Sequence, residues 1–171
     1  RHPTSVLCDA MGGRGALSPA IKPLAPGELP ERIAAPVLTV DCGPDDILAL
    51  AGALTELRPG EALVIATHGW TGSAAFGDRV AGMARNGGCA GFVTDGMARD
   101  RAGLVAAGLP VFCTGLNPNS PYSKGPGRIG LPVEIGGLRV ETGDVVVADR
   151  DGVVIVPGAR AGEIAERAEA V

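Results

Sequence analysis

Aromatic residues are scarce in this chain of 171, with one Trp, one Tyr and three Phe. Base-stacking platforms cannot be built from so few rings. No basic stripe compensates, since 15 Lys and Arg face 19 Asp and Glu for a net charge of −4, so nucleic acid is not an expected partner. Lysine is almost missing as well. Lys22 abuts Pro23 in a proline-rich segment and Lys124 lies in an open loop, whereas a Schiff-base nucleophile needs a desolvated amine. His2 and His68 are the only histidines, so a two-histidine zinc site would have to join the start of the chain to its interior. A serine triad built on His68 would lack a G-x-S-x-G elbow to present its nucleophile. The four cysteines, Cys8, Cys42, Cys89 and Cys113, form no C-x-x-C pair, which removes zinc and redox motifs and leaves small buried thiols. Reduced thiols and the lack of a signal peptide point to the cytoplasm, although the chain opens on Arg1 instead of Met. No apolar run approaches the ~18 residues of a membrane span, so a soluble protein is expected.

What is abundant is glycine and proline, 27 and 14 residues, without a collagen-like period. Hydrophobic residues make up 46% and mean hydropathy is +0.24, enough for one core and too much for disorder. One domain over residues 1–171 is expected. Short runs of Val, Ile and Ala bounded by Gly, Pro or Asp predict strands at Pro36–Asp41, Ala62–Thr67, Gly91–Asp95, Pro110–Thr114, Leu131–Ile135, Asp144–Asp149 and Val153–Pro157. Helical spacing of Ile47, Leu50, Ala51, Leu54 and Leu57 follows Pro44, which stands where a first helical residue belongs. Further helices are predicted from Gly77 to Asn86 (with Val80, Met83 and Ala84 inward), from Arg99 to Ala107, and from Ala159 to Val171. Alternating strands and helices over residues 36–114 argue for an α/β core, to which residues 131–157 add a β-meander. Between them, Gly115–Gly130 carries no periodic signal, and loops of that kind are usually functional or intersubunit.

Within that loop Gly125-Pro126-Gly127-Arg128-Ile129-Gly130 spells G-x-G-x-x-G, but a loop precedes it and a strand follows, the reverse of a dinucleotide site. His68 lies just past a strand's carboxyl end, where α/β sheets bind ligands, and it reads either as pocket lining or as an ordinary turn residue. The strongest constellation is Gly77-Asp78-Arg79-Val80 with Ala98-Arg99-Asp100, each group at the predicted start of a helix. Helix amino ends offer unpaired N–H groups and partial positive charge to a carboxylate or phosphate. Asp78 and Asp100 could equally be capping acids worth ~1 kcal/mol each. Arg99 argues against plain capping, because a cation in the first helical turn opposes the dipole.

The spacing Asp-x20-Arg-Asp across Asp78, Arg99 and Asp100, with Thr94-Asp95-Gly96 leading into the second group, resembles the RraA-like family. The likeness extends from Thr4-Ser5-Val6 through Gly108-Leu109-Pro110 and Pro132-Val133-Glu134 to Asp151-Gly152-Val153 and Pro157. That family includes class II pyruvate aldolases acting on 4-hydroxy-4-methyl-2-oxoglutarate and 4-carboxy-4-hydroxy-2-oxoadipate, and also RraA, a protein-binding regulator that inhibits a ribonuclease. The resemblance implies a compact swivelling α/β sandwich, assembled as a homotrimer or hexamer with sites between subunits, and a divalent cofactor, Mg²⁺ or Mn²⁺. It implies Asp100 as the metal ligand and Asp78 as a catalytic carboxylate reaching the metal through water. It likewise implies Arg99 at the keto oxygen of a small 2-oxo acid and the N–H groups of Arg79 and Val80 at its carboxylate. The implied activity is lyase cleavage to pyruvate through an enolate, with oxaloacetate decarboxylation alongside; a ribonuclease regulator without catalysis is the alternative. The family's aldolases also take an acidic residue from a neighbouring subunit, and Glu163, Glu166 and Glu169 match no motif for it.

Overall fold

Valine-rich runs bounded by glycine and proline become the strands of one large sheet. The computed structural model describes residues 2–170. The chain begins with helix α1 (Thr4–Ala10), strands β1 (Lys22–Pro23) and β2 (Ile33–Asp41), helix α2 (Leu48–Glu56) and strand β3 (Ala62–Ala66). Strand β4 (Ala74–Phe76) leads into helix α3 (Asp78–Asn86), which is followed by strands β5 (Gly91–Thr94) and β6 (Met97–Ala98). Helix α4 (Arg101–Ala107), strand β7 (Val111–Cys113) and strand β8 (Arg128–Ile129) come next. The remainder is β9 (Val133–Ile135), β10 (Leu138–Val140), β11 (Val145–Asp149), β12 (Gly152–Val156), a 3₁₀ turn at Gly158–Arg160, and helix α5 (Ala161–Glu169). Among the described residues no helix is long and apolar enough to cross a membrane.

The main sheet runs β1-β7-β5-β3-β2-β11-β12, with β8 also on β2. Strands β2, β3, β5 and β7 pair in parallel, whereas β1, β8, β11 and β12 join antiparallel. Parallel neighbours need crossovers, and α2, α3 and α4 supply them on one face. Because side chains alternate along a strand, Leu38, Val40, Leu63, Ile65 and Phe92 point into the helical layer. Their neighbours Val37, Val64 and Val93 point to the opposite face, where Val133, Ile135 and Val140 of the β9–β10 pair cover them. A third cluster seats α1 and α5 on Val147, Val154 and Val156. This is an α/β sandwich, as expected.

The expected strands appear with ends shifted by a few residues, but several other expectations are corrected. Residues 131–157 are not one meander. Gly136 and Gly137 both take positive φ, 55° and 84°, and fold β9 back on β10 as a separate two-stranded sheet, while β11 and β12 join the main one. Helix α2 starts at Leu48 rather than at Pro44, because Asp45 sits at φ 56° and breaks the helical path. In α3 the buried residues are Ala81 and Ala84, and Met83 is 59% exposed, since only small side chains fit where that helix meets its neighbours. Helix α4 starts at Arg101, so Arg99 and Asp100 precede it. The last helix covers Ala161–Glu169, and Val171 lies outside the described residues. Helix α1 and the short strands β1, β4, β6, β8 and β10 are additional to the expected elements.

Candidate active site

Two short strands decide where the site falls. β4 and β6 pair in parallel, Ala74 with Met97 and Phe76 with Ala98, and the Arg99 N–H donates to the Phe76 carbonyl at 3.1 Å. Each strand runs at once into a helix, so the amino ends of α3 and α4 lie side by side. Phe76 anchors the pair by stacking on Phe92 with ring centroids 4.5 Å apart, and both rings are fully buried.

Glycine permits the approach. A Cβ on Gly77 would collide with Asp100 Oδ2 and stand 3.1 Å from Arg99 Cγ. A Cβ on Gly103 in α4 would reach within 2.5 Å of Asp78 Cβ and 2.7 Å of its Oδ2. The two sequence groups, twenty residues apart, thus meet at one place. A cavity of about 560 Å³ opens there, lined by Gly77, Asp78, Arg79, Val80, Arg99 and Asp100 together with Ile47, Phe76 and Pro121.

Neither carboxylate is spent on capping. Gly77 is the N-cap of α3 and Asp100 that of α4, and neither makes a side-chain cap bond. Asp100 instead stands in the left-handed region, φ 61° and ψ 47°, a strained conformation that Asp tolerates better than most residues and that clusters at ligand sites. Its carboxylate is 3.4 Å from Arg99 Nε, and Arg99 Nη1 donates to the Ser120 hydroxyl. The dipole argument for Arg99 does not hold, because that residue lies outside the helix; its orientation comes from Asp100 and Ser120 instead.

Ser120 and Pro121 belong to the aperiodic loop, which proves to be firmly tied. Asn117 Nδ2 donates to the Thr71 carbonyl at 2.7 Å and Asn119 Nδ2 to the Gly72 carbonyl at 3.0 Å. Asp46 Oδ2 accepts the N–H groups of Lys124 and Gly125 at 2.7 and 2.9 Å, while its Oδ1 accepts that of Leu48 at 2.8 Å. Burial works to raise the Asp46 pKa, but these N–H donors hold it below the usual carboxylate value. Sequence reasoning misses Ser120, Pro121 and Phe76 and reads Ile47 only as a helical core position; for Ser120 and Pro121 the lack of periodicity in residues 115–130 is the one available signal.

His68 is not among the cavity's lining residues. Its Nε2 lies 3.0 Å from Asp41 Oδ1, while Arg128 Nη2 donates to Asp41 Oδ2 at 2.6 Å. The G-x-G-x-x-G stretch thus contains strand β8, and through Arg128 it serves Asp41. Lys22 and Lys124 are both exposed, and Lys124 Nζ rests 4.3 Å from the centroid of the Tyr122 ring. Glu163 pairs with Arg160 and Arg167 on α5.

Among the described residues no three of His, Cys, Asp and Glu come together as a metal cage. Asp78 and Asp100 are the acids at the cavity. Two hard oxygen donors in an open pocket fit a cation such as Mg²⁺, which keeps several waters and accepts one or two carboxylates.

A family model described as RraA-like, Aldolase/RraA, matches residues 4–155. The chain belongs to the RraA-like family. Among this RraA-like protein's relatives is one from Halalkalibacterium halodurans, 35% identical over 167 residues, covering 98% of this chain and 78% of the relative. Its name is "Putative 4-hydroxy-4-methyl-2-oxoglutarate aldolase". The solved structure of the RNA-processing inhibitor RraA from Thermus thermophilis superposes with a TM-score of 0.82 at 25% identity, over 92% of this chain and 93% of that one. Streptomyces coelicolor RraAS2, described as an unusual member of the RNase ES inhibitor RraA protein family, gives 0.80 at 32% identity over 97% and 85%.

Proposed function

We propose that this RraA-like protein is a divalent-metal-dependent lyase that cleaves 4-hydroxy-2-oxo acids to pyruvate and also decarboxylates oxaloacetate. The observation that carries the reading is the convergence of Asp78, Arg79, Val80, Arg99 and Asp100 on one cavity. The aldolase name of the Halalkalibacterium halodurans relative supports the lyase class.

Breaking the C3–C4 bond of such a substrate sends the electron pair toward the C2 keto oxygen, giving a pyruvate enolate, while the C4 hydroxyl loses its proton and becomes a carbonyl. The main-chain N–H groups of Arg79 and Val80, in the first turn of α3, take the substrate carboxylate, helped by the helix's partial positive charge. Arg99, held by Asp100 and Ser120, presents its guanidinium to the oxygen on which charge develops. Asp78 is the carboxylate that draws the C4 hydroxyl proton, through water. A Mg²⁺ or Mn²⁺ ion held by Asp100, with Asp78 near, supplies further positive charge for the enolate. Protonation at C3 then releases pyruvate. Oxaloacetate reaches the same enolate by losing CO₂.

The test is pyruvate release from 4-hydroxy-4-methyl-2-oxoglutarate and from oxaloacetate with Mg²⁺. EDTA should abolish it, and Arg99→Ala should lower kcat about 10²–10³-fold, the usual effect of removing one such electrostatic contact. No turnover on either substrate, or turnover indifferent to EDTA and to Arg99→Ala, refutes the reading.

The RraA structures from Thermus thermophilis and Streptomyces coelicolor support a second reading, a ribonuclease-binding regulator without catalysis. A pull-down with the host ribonuclease separates the two, since retention of the enzyme by a catalytically inert chain favours regulation.

A further inference from the structure

Arg99, assigned to the oxygen on which charge develops, is a long side chain with few fixed points. Its Nε stands 3.4 Å from the Asp100 carboxylate, a long contact that leaves the far end of the guanidinium free to turn. Among the described residues it is the Ser120 hydroxyl, accepting from Nη1, that holds that end. An arginine has many rotamers of similar energy, so one well-placed acceptor decides where its fork points.

Ser120 is itself exposed in a loop, and its place is set three residues earlier. In Asn117-Pro118-Asn119-Ser120-Pro121 both prolines have a fixed φ and push the residue before them toward extended backbone. Asn117 Oδ1 accepts the Asn119 N–H at 2.9 Å, the local turn that an Asn-Pro pair favours. Its Nδ2 donates to the Thr71 carbonyl at 2.7 Å, and its main-chain N–H donates to the Ala98 carbonyl at 2.9 Å. Ala98 immediately precedes Arg99, and its own N–H donates to the Gly115 carbonyl at 2.9 Å. Residues 115–117 therefore run beside β6 on the edge that β4 leaves open, with Leu116 bridged in parallel to Ala98. Asn119 adds the other half of the tie. Its carbonyl accepts the Ala74 N–H at 3.0 Å where β4 begins, and its Nδ2 donates to the Gly72 carbonyl at 3.0 Å. The turn that carries Ser120 is thus joined both to the strand before Arg99 and to the strand before Asp78.

We propose that Asn117 is a positioning residue for the lyase reaction: the turn it closes holds the Ser120 hydroxyl against Arg99 and so fixes the guanidinium at the oxygen that becomes negative. This role rests on the lyase reading. Asn117 is not among the cavity's lining residues, so it acts through Ser120 and Arg99 and not on the substrate. The substrate carboxylate, received by the N–H groups of Arg79 and Val80 on α3, is independent of it. Losing Asn117 should therefore weaken the transition state and leave the bound substrate almost unaffected.

The test is pyruvate release from 4-hydroxy-4-methyl-2-oxoglutarate and oxaloacetate with Mg²⁺, for Asn117→Ala and Ser120→Ala, each alone and each combined with Arg99→Ala. Alone, each should lower kcat about 10-fold or more, the effect of a misplaced catalytic group, and change KM less than about twofold. Added to Arg99→Ala, neither should lower kcat further, because the side chain they position is already gone. A residue that merely stabilises the fold would lower activity by the same factor in both backgrounds. Asn117→Asp keeps the acceptor for the Asn119 N–H and should recover part of the loss, as should Ser120→Thr, which keeps the hydroxyl. Thermal melts check that every variant is folded, and Asn117→Gln, which moves the amide out by one methylene, repeats the cycle with a gentler change. Unchanged kcat in the Asn117 variants, or effects that multiply with that of Arg99→Ala, overturns the proposal and leaves the lyase reading standing. Wild-type protein that releases pyruvate from neither substrate overturns both.

Discussion

Gly77→Ala should separate catalysis from stability. Gly77 sits at φ −141° and ψ −160°, extended backbone open to any residue, so the substitution introduces no main-chain strain. Its new methyl would occupy the place of Asp100 Oδ2 and press on Arg99 Cγ at 3.1 Å. Asp100 is 41% exposed at its side chain and Arg99 34%, so both can rotate outward into solvent. Such an off-rotamer adjustment costs about 0.5–1.5 kcal/mol, which in a chain of this size lowers Tm by roughly 2–5 °C. Catalysis has no such escape. On the proposed lyase reading, displacing the Asp100 carboxylate and the Arg99 guanidinium together by about 1 Å is expected to reduce kcat at least 10²-fold. Gly82 provides the control on the same helix. Nothing lies within 4 Å of a Cβ there, so Gly82→Ala should raise stability by about 0.5–1 kcal/mol with full activity. Pyruvate-release kinetics and thermal melts by circular dichroism on the two variants decide the matter. A Gly77→Ala protein with near-normal kcat would refute the crowding argument, and so would one that melts as early as a core-cavity mutant.

Asp41 is nearly buried, and burial alone would raise its pKa, but the Arg128 hydrogen bond, the His68 charge and the Gly43 N–H together hold it below the usual value. A depressed folded-state pKa contributes stability above the unfolded value near 4, which is lost as pH falls through the folded value. Asp41→Asn should therefore cost about 1–2 kcal/mol at pH 7 in urea melts, with the gap to wild type closing in acid below about pH 4. Asp46→Ala removes the acceptor for three main-chain N–H groups, two of them in the loop that carries Ser120 and Pro121. Limited proteolysis should then cut near residues 120–127 well before global unfolding, and kcat should drop as Arg99 loses its Ser120 support; an uncut loop would show that the asparagine ties suffice.

The sequence by itself determined the longer strands of the main sheet, the α/β class, and the two residue groups that line the cavity. Runs such as Ala62–Ala66 and Val145–Asp149 announce strands because their apolar residues, bounded by Gly, Pro or Asp, are local properties of the chain. Only the tertiary structure decided how those pieces meet. Strands β4 and β6 have three and two residues, too few for any period to register, and they exist because each pairs with the other. Asp100 reads as a helix cap from sequence, yet the pairing of its preceding strand turns it left-handed and aims its carboxylate at Gly77 instead. The join of Asp41 to His68 and to Arg128 spans 27 and 87 residues, beyond the reach of any local pattern. Local hydrophobic period is written residue by residue, whereas convergence of distant polar groups depends on which strands become neighbours, and that is settled only when the whole core packs.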